Sequence, residues 1–230
     1  MKFMGSKNRI AEQILPIILK DRTSNQWYIE PFVGGGNMID KVKGERIGYD
    51  IDFNVINGLI SIRDNIEDLP KNNKEFTEND YKNLRNNDYV FKGYAGFAFS
   101  YGGKWLGGWS RDGENKRDYV KEAYNNALNQ TKNIQDVIFI TESFKKIYIP
   151  SKSIIYCDPP YGGATKYNSS FNHFDFWDWC RGKAKEGHKV FVSEYHAPDD
   201  FIILWQKQIV SSLIKDTGAK KGIEKLFTIY

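Results

Sequence analysis

Short apolar runs alternate with helix-spaced stretches along the chain, a pattern that predicts an α/β fold interrupted once in the middle. Ser6 stands where it can cap a helix whose Ile10, Ile14, Ile17 and Ile18 share one face, with a kink or break expected at Pro16. Trp27-Tyr28-Ile29-Glu30-Pro31-Phe32 reads as a strand running into Val33-Gly34-Gly35-Gly36-Asn37, and Arg46-Ile47-Gly48-Tyr49-Asp50 as a second strand ending in an acid. Phe53, Ile56, Leu59 and Ile60 follow with helical spacing. The rhythm returns at Val137-Ile138-Phe139-Ile140, then at Ile154-Ile155-Tyr156-Cys157, at a helix containing Phe176, Trp177, Trp179 and Cys180, and at a strand over residues 188–193. Residues 208–213 and 225–230 are two further strands, close enough in sequence to form an antiparallel pair at a sheet edge.

Between residues 69 and 133 the pattern changes. Aliphatic runs are scarce, Asn, Lys and Asp are frequent, and aromatics interleave with glycines over residues 97–111. Thr77-Glu78-Asn79-Asp80 has the form of a capping box opening a short helix, and residues 118–130 suit another. This segment is the expected insertion, dividing the chain into 1–68 and 134–230 on one side and 69–133 on the other.

Composition narrows the class without fixing it. At 230 residues the chain can bury one good core, and its formal charge of +4 is compatible with a polyanionic partner without demanding one. Cys157 and Cys180 are too few for a disulfide framework or a thiolate metal site, and the three histidines show no ligand spacing. The first residues lack the apolar run of a secretion signal, and no stretch approaches a membrane span, so a reducing, cytoplasmic compartment is expected.

Three features carry chemistry. The glycine run after the first strand lets backbone approach a ligand or turn with positive φ; a structural turn explains it equally well, and a helix starting there would add N–H groups and a positive dipole end. The position where a dinucleotide fingerprint needs its third glycine holds Ile39, which counts against a nicotinamide dehydrogenase. Asp50 stands where an acid can accept hydrogen bonds from a ribose diol, and jointly with the loop it implies an adenosyl cofactor. The specific signal is Asp158-Pro159-Pro160-Tyr161. The prolines stop the strand and stiffen the corner, leaving a carboxylate, a carbonyl and a ring facing one spot. Such a corner can hold an amino group on a flat ring. An aromatic amine is a poor nucleophile because its lone pair is delocalised. Two acceptors, Asp158 and the Pro159 carbonyl, would favour a pyramidal nitrogen, and Asp158 would stabilise positive charge developing there. Tyr161 can stack on the base. With an activated sulfonium donor no metal is called for.

In these motifs the chain resembles S-adenosylmethionine-dependent DNA adenine methyltransferases of the Dam-like (D12) class, and its small phage members most. Phe3-Met4-Gly5-Ser6-Lys7 resembles the class's N-terminal aromatic-x-Gly-Gly-Lys motif, with Ser6 replacing the second glycine. Glu30-Pro31-Phe32-Val33-Gly34-Gly35-Gly36, Tyr49-Asp50-Ile51-Asp52 and Phe139-Ile140-Thr141-Glu142-Ser143-Phe144 match further motifs, and residues 221–230 resemble its last strand. The resemblance implies a Rossmann-like methyltransferase sheet of seven strands, the last antiparallel, with a small, mostly helical inserted DNA-recognition subdomain. It implies S-adenosyl-L-methionine as cofactor, held by Phe3, Lys7, Glu30, Phe32, Gly34, Gly36, Asp50, Glu142, Phe144 and Asp158. The expected catalytic residues are Asp158, Pro159, Pro160 and Tyr161. The expected partner is double-stranded DNA, site-specifically methylated on the amino group of a flipped adenine by a monomeric enzyme.

In the middle segment, Tyr94, Tyr101, Lys104, Trp105, Trp109, Arg111, Lys116 and Arg117 are the candidate DNA contacts, basic groups for phosphates and aromatics for the space left by a flipped base. A small aromatic core with a solvated charged surface is the alternative. Methylation of RNA or of the cytosine amino group, or a silent nucleic-acid-binding fold, also remains open at this level.

Overall fold

The computed structural model describes residues 1–114, 116–161, 171–210 and 221–230. Among them are seven strands: β1 (Tyr28–Glu30), β2 (Arg46–Asp50), β3 (Ile138–Thr141), β4 (Ile154–Cys157), β5 (Lys189–Glu194), β6 (Ile202–Val210) and β7 (Lys221–Ile229). They form one sheet in the order β3-β2-β1-β4-β5-β7-β6. Neighbours from β3 across to β5 are parallel, while β7 runs against both β5 and β6, so the last strand of the chain is the antiparallel one. This is the Rossmann-like α/β arrangement expected from the sequence. The chain builds outward from β1 to β3, then returns to place β4 on the other side of β1. The crevice beyond the ends of β1 and β4 is the usual ligand position in such sheets.

Side chains alternate across the sheet with period two, which gives the sheet two packed faces. Tyr28 and Tyr156 face a core with Ile14, Leu59, Tyr94 and Val120. Their neighbours Ile29 and Ile155 face a second with Phe176, Trp177, Cys180 and Val190. The first face carries α1 (Ala11–Ile18), α2 (Phe53–Asp64), α4 (Lys92–Ala98) and α5 (Tyr119–Thr131), and the second carries α6 (His173–Lys185). A short α3 (Glu78–Lys82) opens with the Thr77–Asp80 capping box expected of it. Cys157 and Cys180 are buried free thiols on the second face. No helix among the described residues is long and apolar enough to cross a membrane.

The elements depart from the sequence pattern in four places. Ser6 caps only the short turn Lys7–Arg9, and α1 starts at Ala11 and continues past Pro16. Pro16 lies six residues into a helix of eight, where a missing N–H costs a single bond. β6 starts at Ile202, ahead of the expected 208–213, whose last three residues lie outside the described ones. No α-helix follows directly on the glycine loop; a short turn at Ile39–Lys41 does, so the N–H groups and dipole end that a helix starting there would add are missing. Finally, α4 forms in a stretch where no helix was expected. Its Gly93 packs backbone to backbone on α2, and a Cβ there would stand 2.2 Å from the Asn54 carbonyl oxygen and 2.6 Å from the Gly58 nitrogen. The close approach outweighs the roughly 1 kcal/mol of helix propensity that a glycine sacrifices.

Candidate active site

β4 is buried at all four positions and ends where Asp158-Pro159-Pro160-Tyr161 begins. The turn capped by Ser6 carries Lys7 inward, and its ammonium donates to Asp158 Oδ1 at 2.7 Å and to the Gly5 carbonyl at 3.1 Å. The same ammonium lies 3.7 Å from Glu224 Oε1 and 4.6 Å from the centroid of the Tyr161 ring. The Tyr161 hydroxyl donates to Glu224, and its ring meets Tyr195 edge-on at 4.8 Å. Behind them the Tyr156 hydroxyl and Ser193 Oγ are 2.8 Å apart. Burial raises the pKa of Asp158, with Lys7 opposing. Burial lowers that of Lys7, but Asp158 and then Glu224 outweigh it, and the net shift is upward. Lys7 is therefore an ammonium at neutral pH. Burial also raises Glu224, against Lys7 and Tyr161, and pushes the Tyr161 phenol well up.

Beside this corner, the glycine loop is tied to the ends of the neighbouring strands. The Gly34 N–H donates to Asp50 Oδ2 at 3.1 Å and the Asp52 N–H to Oδ1 at 3.0 Å. The Glu142 N–H donates to the Asp50 carbonyl at 3.0 Å. Gly34 and Gly36 have φ of 48° and 69°, which favours glycine. A Cβ on Gly34 would stand 3.0 Å from the Phe3 ring, so Phe3 lies against the loop. On the other side Gln130 of α5 donates to the Gly35 and Gly36 carbonyls at 3.0 and 3.2 Å. Burial pushes the Asp50 carboxyl up to about 6 despite those backbone donors. Glu30, at the end of β1, is buried, and its Oε1 has no hydrogen-bond partner among the described residues. Burial pushes its pKa well up, with the Tyr28 hydroxyl opposing.

The remaining candidates separate into groups. Phe32 and Phe144 belong to an aromatic cluster with Phe171 and Phe176, with centroids 5.4 to 5.9 Å apart. Glu142 Oε1 accepts the Ser143 N–H at 2.7 Å. In the middle segment, Tyr101 and Lys104 are exposed, while Trp105 and Trp109 are half-buried against Phe97 and against Tyr81 and Phe99. Arg111 pairs with Glu78, Lys116 with Glu114 at 2.5 Å, and Arg117 with Glu122 through two bonds of 2.8 and 2.7 Å. Tyr94 corrects the expectation. It is 1% exposed and packs in the core cluster, where a surface aromatic was expected. Tyr81, Lys82, Arg85, Trp109 and Arg111 line a surface concavity of about 400 Å³. Of these, Tyr81, Lys82 and Arg85 did not stand out in the sequence. Nor did Glu224 and Tyr195; the only trace of Glu224 was its place within the last-strand motif.

Comparison with known proteins bears on the same parts of the chain. The chain is 27% identical over 281 aligned residues to the Type II methyltransferase M.MjaIII of Methanocaldococcus jannaschii, with 98% of this chain and 96% of that protein covered. Among solved structures, the tRNA (m1A58) methyltransferase TrmI from Aquifex aeolicus aligns at TM-score 0.40 and 11% identity, over 95% of this chain and 68% of that one. SMU.472 complexed with SAH aligns at 0.39 and 11%, over 97% of this chain but only 52% of that one. Residues 3–93, which hold Phe3, Lys7, the glycine loop and Asp50, match the family model of the D12 class N6 adenine-specific DNA methyltransferases.

Proposed function

We propose that this protein is a site-specific DNA adenine methyltransferase that uses S-adenosyl-L-methionine to methylate the exocyclic amine of an adenine flipped out of double-stranded DNA. One observation carries the proposal: Asp158, at the rigid corner after β4, is held by Lys7 through Oδ1, beside a ring able to stack on a base. The match of residues 3–93 and the relative spanning nearly the whole chain support it. The residues fit the cofactor. Glu30 Oε1 is a buried acceptor without a donor among the described residues, suited to an ammonium, and Asp50 suits ribose hydroxyls. Gly34 and Gly36 carry no Cβ, which lets a ligand approach the loop backbone. When bound, the cofactor supplies a methyl group already activated on a sulfonium.

The chain's own residues do the rest. Asp158 Oδ2 and the Pro159 carbonyl accept the two amine N–H bonds, which aims the nitrogen lone pair outward. Tyr161, kept neutral by burial, stacks on the base and fixes its plane. Alignment of the two reactants contributes much of the rate. Residues 1–68 and 134–230 form the catalytic part. Residues 69–133 form the target-recognition part, with Tyr101 and Lys104 on its exposed surface and Lys82, Arg85 and Arg111 around the concavity. The enzyme acts as a monomer in a reducing, cytoplasmic setting.

The test is incubation with labelled cofactor and duplex DNA, followed by sequencing that detects modified adenine. Label on adenine at a defined site is the expected result. Label confined to cytosine or to RNA, or none, refutes the proposal. Asp158→Ala should abolish turnover while DNA affinity stays within about threefold, because most affinity for a duplex comes from phosphate contacts.

A further inference from the structure

A second carboxylate, Glu224, is buried among the groups that hold Asp158 and belongs to none of the three chemistry-bearing motifs. It comes from β7, the antiparallel strand, and is 5% exposed. It accepts the Tyr161 hydroxyl and lies 3.7 Å from the Lys7 ammonium, which lies 2.7 Å from Asp158. The groups facing it are Lys7 from the N-terminal turn, Asp158 and Tyr161 after β4, Tyr195 after β5, and Lys207, opposite it on β6. Of the two cations, Lys7 approaches the carboxylate, while the Lys207 ammonium donates to Gln13 at 3.2 Å.

Charge balance makes this arrangement informative. Lys7 and Asp158 alone form a neutral pair. If an amine is methylated here, its lone pair forms the new N–C bond and the departing donor keeps the electrons of the bond that breaks. The nitrogen carries a positive charge until it sheds a proton, through Asp158, to water. A neutral pair has no charge left to balance that cation in a desolvated corner. Lys7, Asp158 and an ionised Glu224 together carry one net negative charge, of the sign and size the nitrogen needs. Resting on the proposed amine methylation, we infer that Glu224 is a positioning residue that shares the Lys7 ammonium with Asp158, so that the group as a whole keeps one net negative charge towards the target amine. Lys7 is within reach of both carboxylates, and its ring contact with Tyr161 keeps it between them.

Two substitutions separate this charge role from the hydrogen bond to Tyr161. Glu224→Gln keeps an acceptor for the hydroxyl and removes the charge; Glu224→Asp keeps the charge and withdraws the acceptor. In single-turnover methyl transfer at saturating cofactor, Glu224→Gln should lose roughly tenfold to a hundredfold in rate with DNA and cofactor affinities nearly unchanged. Glu224→Asp should lose much less. Lys7→Met/Glu224→Gln has the same net site charge as the native protein and should be faster than Lys7→Met alone. A readout independent of turnover is NMR titration of the Lys7 side chain in the cofactor-free protein, where Glu224→Gln should lower the Lys7 midpoint and Glu224→Asp should hold it.

The inference is overturned if Glu224→Gln keeps its rate within about threefold, if Glu224→Asp is the more damaging, or if the double variant is no faster than Lys7→Met. Should Glu224→Gln fail to fold, the double variant, which leaves no ammonium unpaired, decides by the same comparison. If the native protein methylates no adenine, the functional proposal fails instead, and the Lys7 titration still decides whether the two carboxylates share one cation.

Discussion

Replacing Gly93 by alanine would put a methyl group where the backbone of α2 already lies. Its carbon would stand 2.2 Å from the Asn54 carbonyl oxygen and 2.6 Å from the Gly58 nitrogen. Ordinary contact distances are about 3.5 to 4 Å, so α4 must move off α2 by roughly 1 Å or more. That retreat pulls Tyr94 from its packing and strains the bond from the Gly93 N–H to Asn57 Oδ1, 2.9 Å long. Overpacking of this kind costs about 1 to 3 kcal/mol, the bond about 1 kcal/mol, and alanine returns about 1 kcal/mol of helix propensity. The net expectation is a loss of about 2 kcal/mol, or a fall in Tm of roughly 4 to 8 °C for a chain this long. Gly182→Ala is the control. Gly182 lies within α6 with nothing inside 4 Å of its Cβ position, so the same substitution there should stabilise by up to about 1 kcal/mol. Urea denaturation followed by circular dichroism measures both. Equal, neutral or stabilising effects at the two positions would refute the close α2–α4 packing.

Two further predictions concern parts of the framework remote from the reacting groups. Arg46 is 2% exposed and donates to the carbonyls of Gly44, Ile39 and Asn133 at 3.1, 3.0 and 2.8 Å, as well as pairing with Asp136. Arg46→Met should therefore cost about 3 kcal/mol or more in the same denaturation assay, and a loss under 1 kcal/mol would show those bonds to be dispensable. His188 accepts the Ser153 N–H through Nδ1 at 3.1 Å, and burial lowers its pKa below the usual 6.5. The unfolded chain thus takes up this proton first as pH falls. The stability contributed by neutral His188 is complete above about 6.5 and declines as pH drops towards the lower folded value. Urea midpoints between pH 5 and 8 should fall more steeply on the acid side for the native protein than for His188→Gln; parallel profiles would count against the linkage.

The parts of the site that are legible in the sequence are those whose chemistry is local. Asp158-Pro159-Pro160-Tyr161 announces itself because two prolines after an apolar run leave the chain little choice. The glycine loop and Asp50 are readable for the same reason, each being the abrupt end of a strand. Glu224 is different. It lies 66 residues after Asp158 and becomes its neighbour only because β7 inserts between β5 and β6. Lys-Gly-Ile-Glu-Lys reads equally well as an alternating edge strand with its acid in solvent. The helix α4 was hidden by its glycines, which lower local propensity while permitting the contact with α2 that holds it. The aromatics of residues 97–111 also divide in a way composition cannot show, with Phe97 and Phe99 in the core and Tyr101 at the surface.

The core shared by the middle segment and the sheet bears on how target preference can change. Phe76, Tyr94, Phe99 and Val120 pack with Ile14, Leu59 and Tyr156 in one cluster, so residues 69–133 share a hydrophobic core with the sheet. Transplanting that stretch from a relative would exchange half of a packed interface and leave the other half unmatched, with losses like those of several core substitutions at once. Under the proposed function, new specificity is expected from altering exposed positions such as Tyr101 and Lys104 one at a time, on a scaffold that stays in place.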